Sequence, residues 1–171
     1  RLECLSAPVA DVKEGTWIHL NGKELITNGH FTSNIDGWNY DYANASILSS
    51  YSNGQRRVQR SDGIYTQATP NQTIVTETGK TYRLSFTVTL NVSATGGCVA
   101  IVQATGGAII EDFRPTGSGT FAVQFTATST STDIVIGVDS NGDDVLFDNI
   151  SVRKVGENGP GDADTDYGYQ V

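Results

Sequence analysis

With 171 residues and a formal net charge of −8, the chain is long enough for one domain burying roughly 70% of its unfolded surface, and its acidity opposes the phosphate neutralisation that nucleic-acid binding requires. Charged residues make up only 18% and Gly reaches 19, a composition that disfavours helix and favours strands joined by turns. No apolar run approaches the ~20 residues of a membrane helix, and the opening RLECLSAPVA lacks a basic start and a long apolar core. No nucleic acid and no membrane is therefore expected as a partner.

Residues 1–23 read as an N-terminal arm. They hold Pro8, Gly15, Gly22 and one short apolar stretch, Thr16–Leu20, anchored by Trp17. The absence of Met, even at position 1, marks a processed chain or a piece of a longer one. Cys4 and Cys98 are too few for a disulfide framework. Cys98 lies in the strand-like run GGCVAIVQA, where a buried thiol behaves as a small hydrophobe; a Cys4–Cys98 bridge is the alternative. His19 and His30 have no Cys, Asp or second His at ligand spacing and read as structural.

A sandwich domain is expected over 24–155. It opens with a short strand at Leu25-Ile26, the turn Asn28-Gly29, Phe31, a second turn at Asp36-Gly37 and Trp38. Strands follow at Ala45–Ser50, Gln55–Arg60, Ile64–Gln67 and Thr69–Thr76, separated by turn residues at Ser52–Gly54 and Ser61–Gly63. Arg56, Arg57 and Arg60 read as a solvated charge cluster at a strand edge. The organising strand is Thr81–Leu90, in which Tyr82, Leu84, Phe86, Val88 and Leu90 alternate with Arg83, Ser85, Thr87 and Thr89, giving one dry face that a second layer must cover. Further strands are expected at Cys98–Ala104, Ala108–Phe113, Thr120–Thr128, Asp133–Val138 and Val145–Val152, with Gly-rich or Ser/Thr-rich turns between them. Eight to ten such segments describe an all-β, two-sheet antiparallel β-sandwich. The acidic, Gly-rich stretch 156–171 has no apolar period; it reads as a C-terminal arm ordered by lying against another chain.

L-I-T-N-G-x-F at Leu25–Phe31, then D-G-W at Asp36–Trp38, T-G-K-T-Y at Thr78–Tyr82 and V-L-F-D-N-I-S-V at Val145–Val152 resemble, in order and separation, the carbohydrate-binding-module jelly rolls of families four and nine. The resemblance implies jelly-roll topology. It also implies a structural Ca2+ held near the opening motif by acids and by the Asp matching Asp148; His30 and Thr32 stand where those acids would be, so Asp148 alone remains and no cofactor is expected. Bacteriophage tail and decoration proteins carry similar domains. The function implied is a non-catalytic structural or adhesion protein of a virion, contacting other virion chains through its termini and cell-surface glycan through the domain. The alternative is the carbohydrate-binding module of a secreted polysaccharide hydrolase.

Tyrosines gather in the first half, at Tyr40, Tyr42, Tyr51 and Tyr65. Aromatic faces stack on sugar rings and offer a hydroxyl at their edge, so these four, with Arg57 for an anionic group, are the candidate glycan residues. Core packing is the other reading of the tyrosines. Asp139–Asp144 imitates the first half of an EF-hand loop but lacks its Gly and its closing Glu, and reads as a polar hairpin turn. The N-x-S/T matches at Asn44, Asn71, Asn91 and Asn149 read as chance in a Thr-rich chain. There is no G-x-S-x-G elbow. Asp36, Asp41, Glu77, Glu111 and Asp112 supply carboxylates for a glycosidase pair, but in so acidic a chain proximity carries little weight. A binding role outside the cell, on a virion or as a secreted module, is the expectation.

Overall fold

The computed structural model describes residues 22–41, 47–60, 69–92, 98–138 and 142–156. Among the described residues ten strands are present: β1 (Asn39–Asp41), β2 (Ile47–Ser52), β3 (Gln55–Arg60), β4 (Thr69–Val75), β5 (Thr81–Val92), β6 (Cys98–Ala104), β7 (Ile109–Phe113), β8 (Gly119–Thr126), β9 (Ser131–Val138) and β10 (Asp144–Lys154). They form two five-stranded sheets, β1-β4-β9-β6-β7 and β2-β3-β10-β5-β8, with every pairing antiparallel. This is the all-β sandwich that the alternation implies, of the jelly-roll type that the resemblance implies, and no helix occurs among the described residues. Residues 1–21 of the arm expected over 1–23 and residues 157–171 of the arm expected over 156–171 lie outside the described residues, as do the strand expected at Ile64–Gln67, Asn44 and Cys4.

β5 organises the second sheet. Tyr82, Leu84, Phe86 and Val88 are buried while Arg83, Ser85, Thr87 and Thr89 face outward, as period-two geometry requires. Its neighbours β8 and β10 continue the same dry face with Phe125, Val145, Phe147 and Val152. From the other sheet, Cys98, Ala100, Val102, Ile134, Ile136 and Val138 complete one core. At the β7/β8 side Phe86 packs against Phe113 and Phe121, with centroids 6.3 and 6.0 Å away, and those two lie 5.8 Å apart. These distances are within the range of favourable aromatic pairs. Cys98 is a free thiol, fully buried, and burial pushes its pKa up to about 12, so it serves as a core hydrophobe.

The opening motif and the last strand hold each other. Leu25 N donates to Val152 O and Ile150 N to Gly29 O, each at 3.0 Å. Glu24 accepts from Ile26 N, Val152 N and the Ser151 hydroxyl. Leu25-Ile26 is consequently not a strand: the Ile26 amide is taken by Glu24 and the Thr27 amide by the Gln72 side chain, leaving no ladder to extend. The first strand among the described residues is β1 instead, paired with β4 through Tyr40 and Pro70. Pro lacks a ladder donor, and Pro70 sits beside this edge strand.

The expected surface cluster of arginines on β3 is corrected. Arg56 and Arg60 share the inward face with Val58, at 0% and 4% exposure. The QRRVQR run alternates and Val58 points into the core, so 56 and 60, two residues to either side of it, point in as well. Arg56 gives Nε and a terminal N–H to Ser49 Oγ at 3.1 and 3.3 Å and lies 5.0 Å above the Trp38 ring, a cation–π contact. Phe31 packs 5.8 Å from that ring.

Arg57 faces outward and forks onto Asp144, Nε to Oδ1 at 2.9 Å and a terminal N–H to Oδ2 at 2.5 Å. The Arg57 hydrogen bond holds the Asp144 carboxyl below the ordinary 3.8. A folded-state pKa that is depressed gives stability present above the unfolded value and lost as pH falls through the folded one. The Asp144→Asn variant should therefore melt below the unmodified protein at neutral pH, with the gap closing as pH drops below 3.8. Thermal melts at stepped pH check this, and because the Arg57 side chain is 37% exposed, salt should narrow the gap.

Candidate functional site

The tyrosines and the arginine singled out from sequence do not share one described face. Tyr51 is 42% exposed on β2, in register with inward-facing Arg56, and donates its hydroxyl to Thr32 O. Arg57, one position on, lies on the opposite face of that sheet and is engaged by Asp144. Tyr40 belongs to β1 in the other sheet; Tyr42 and Tyr65 lie outside the described residues.

The place implied for calcium is built from His30 and β10. His30 Nδ1 is 2.9 Å from Asn149 Oδ1, and Asp148 Oδ1 accepts from Asn149 N at 2.7 Å. One carboxylate and a ring nitrogen do not make the set of hard oxygens that calcium takes, so the residues present do not fit that ion. Among the described residues no three His, Cys, Asp or Glu side chains are grouped as a metal site. In the EF-hand-like stretch, residues 139–141 lie outside the described residues, and Gly142 N and Asp143 O pair with the Arg60 backbone. Of the candidate acids, Asp112 is bound by Arg114 and Glu77 by Lys154, on separate elements.

The sheet β1-β4-β9-β6-β7 carries the more specific constellation on its outward face. Strand register places Thr73, Asp133, Gln103 and Ile109 in one row across β4, β9, β6 and β7, and Val75 and Ser131 in the next, beside Thr105. Asp133 is only 7% exposed. Its Oδ1 accepts from the Thr73 hydroxyl at 2.7 Å and from the Thr105 hydroxyl at 2.9 Å, and Ser131 Oγ lies 2.9 Å from Thr105. Among the described residues Oδ2 accepts nothing, so it remains available to a donor from outside. Val75 at 81% and Ile109 at 54% exposure flank this row, two of the three large hydrophobic side chains exposed among the described residues. The strip between them crosses three inter-strand steps, about 14 Å. Toward the other end of the face the same strands are dry: Val99, Ile101 and Val135 form a second apolar cluster away from the main core.

Sequence reasoning missed this row although a signal existed. CVAIV and DIVIGV are continuous rather than alternating, which is the mark of strands buried on both faces, and an acid inside such a run needs built-in partners.

A family model for a carbohydrate binding domain, of families four and nine, matches residues 23–144. The chain belongs to this carbohydrate-binding-domain family. Solved structures agree on the fold. A CBM4 structure superposes with a TM-score of 0.62 at 17% identity, over 75% of this chain and 99% of that one. The N-terminal cellulose-binding domain of Cellulomonas fimi β-1,4-glucanase C gives 0.56 at 18%, over 78% and 98%. The enzymatically active domain of bacteriophage CBA120 tailspike protein 4 gives 0.59 at 15%, covering 77% of this chain but 21% of that one. At these identities the likeness is one of fold. No curated protein sequence matches the chain. The opening and closing motifs hold each other in this carbohydrate-binding domain, Gly29 against Ile150 and Leu25 against Val152, and His30, which departs from the family pattern, meets Asn149.

Proposed function

We propose that this carbohydrate-binding domain is a non-catalytic glycan-recognition module of an extracellular assembly, a bacteriophage particle, and that it takes a neutral sugar chain along the row Thr73–Asp133–Gln103–Ile109. The observation that carries the reading is the Asp133 carboxylate, buried, pinned through one oxygen by two threonines and open at the other. Such an acceptor receives sugar hydroxyls without first paying to order itself. Val75 and Ile109 supply apolar contact for ring C–H faces on either side. An acceptor carboxylate favours hydroxyl donors over anionic sugars. Placement on a particle is supported by the likeness to a tailspike domain, where a fold of this kind makes up a minor part of a longer chain. The likeness to a glucanase domain favours a second reading, a module of a secreted hydrolase.

The test is affinity electrophoresis of the chain against soluble neutral polysaccharides. Retardation by at least one polymer is expected, with affinity falling about tenfold or more in Asp133→Ala, as suits loss of hydrogen bonds to a charged acceptor, and falling in Ile109→Asp. Retention of full affinity by both variants removes this face from the account.

A further inference from the structure

The outward face of the other sheet holds a feature that its fold does not require. On neighbouring strands β5 and β10, Arg83 and Arg153 are direct cross-strand partners, and both are outward, since Leu84 and Val152 beside them are fully buried. Like charges placed directly opposite each other destabilise a sheet. The usual use of such charges, blunting an exposed edge, does not apply, because β5 and β10 are interior strands in the order β2-β3-β10-β5-β8.

Only one of the two is neutralised. Arg153 Nε meets Glu24 Oε2 at 3.3 Å, and that carboxylate already accepts from Ile26 N, Val152 N and the Ser151 hydroxyl. Arg83 has no carboxylate or hydrogen-bond partner among the described residues. The surrounding groups are small or neutral. Gln124 of β8 lies opposite Arg83 on its other side, Thr81 and Thr126 make the row below, and Ser85, Ser151 and Ala122 make the row above. Arg57, the remaining outward arginine of this face, is taken by Asp144. The result is a patch of guanidinium, hydroxyl and amide groups with one uncompensated positive charge, on a chain of net charge −8.

We propose that Arg83 and Arg153, with Gln124, Ser85 and Ser151, form a second ligand site that binds the carboxylate of an acidic sugar residue. A guanidinium presents parallel N–H donors that match the two oxygens of a planar carboxylate. A carboxylate set between the two arginines replaces their repulsion by two attractions, and the flanking hydroxyls and amide serve the sugar's own hydroxyls. This site stands on the opposite sheet from Asp133, so it survives or fails independently of the neutral-glycan reading.

The experiment measures binding of the full chain to oligogalacturonate and to the same oligomers with their carboxyls reduced to alcohols, by calorimetry at low and moderate salt. Binding of the acidic form alone is expected, weaker at higher ionic strength and about tenfold weaker in Arg83→Gln. Without ligand, Arg83→Gln should melt at or above the unmodified protein, because it relieves the like-charge contact; this separates a ligand role from a structural one. Arg83→Lys, which keeps charge and loses the fork, should bind less tightly than the unmodified protein. Equal binding of acidic and reduced oligomers, or undiminished binding by Arg83→Gln, overturns the proposal. Equal affinity for polyaspartate overturns its restriction to sugars.

Discussion

Gly29→Ala is expected to lower the stability of this domain severely. A Cβ built on Gly29 would stand 1.9 Å from the carbonyl oxygen of Ile150, 2.9 Å from its carbonyl carbon and 3.0 Å from Ile26 Cγ2. The first two are backbone atoms of an interior strand and cannot turn aside as a side-chain end could. The same residue receives the Ile150 N–H through its own carbonyl at 3.0 Å, so any shift that makes room also breaks the bond tying the opening motif to β10. Clash and lost bond together place the cost at about 4 kcal/mol or more, in the rare tail of single substitutions. For a domain of this size that is roughly a 10 °C fall in melting temperature, readable by calorimetry. A melting temperature within two or three degrees of the unmodified protein would show that the motif is not pinned to β10 in this way. Gly54→Ala, where a Cβ meets nothing within 4 Å but φ is +81°, should cost much less.

Phe86→Ala should come next. Phe86 is fully buried at the middle of β5, and its ring joins Phe121 of its own sheet to Phe113 of the other. Removing it leaves a cavity bounded by two stiff sheets, with the loosened rings as its only means of collapse. The expected loss is about 3–5 kcal/mol, with a smaller loss in Phe86→Leu, which refills part of the volume. Urea unfolding checks both: the midpoint should fall while the slope stays constant. A loss under about 1 kcal/mol for Phe86→Ala would mean that the two sheets are not held together through this ring cluster.

The fold was legible because its strands either alternate or are bounded by turn residues. Tyr82, Leu84, Phe86 and Val88 alternate with polar neighbours, and β3, β5, β6 and β9 lie where alternation or turn residues place them. Departures arise where side chains take over backbone work. Glu24 and Gln72 capture amides that would otherwise have made Leu25-Ile26 a strand. Arg56 and Arg60 depart from expectation because an arginine is ordinarily a surface residue, and partners such as Trp38 and Ser49 for Arg56 offset the cost of burial. The binding row was less legible. Asp133, Thr73 and Thr105 stand far apart in sequence and become one site only when β4 and the turn after β6 are brought against β9. Nothing local to any one of them marks it. The tyrosines drew notice by composition, but composition does not say which face of a strand a residue occupies.

The most direct measurement is an amide-shift titration of the 15N-labelled protein with a neutral oligosaccharide cut from whichever polysaccharide retards it. If the outward face of β1-β4-β9-β6-β7 is the glycan site, the shifts will centre on Thr73, Gln103, Thr105, Ile109 and Asp133 and spare β2, β3, β5, β8 and β10. Shifts confined to those five strands, or no neutral polysaccharide that binds at all, would contradict it.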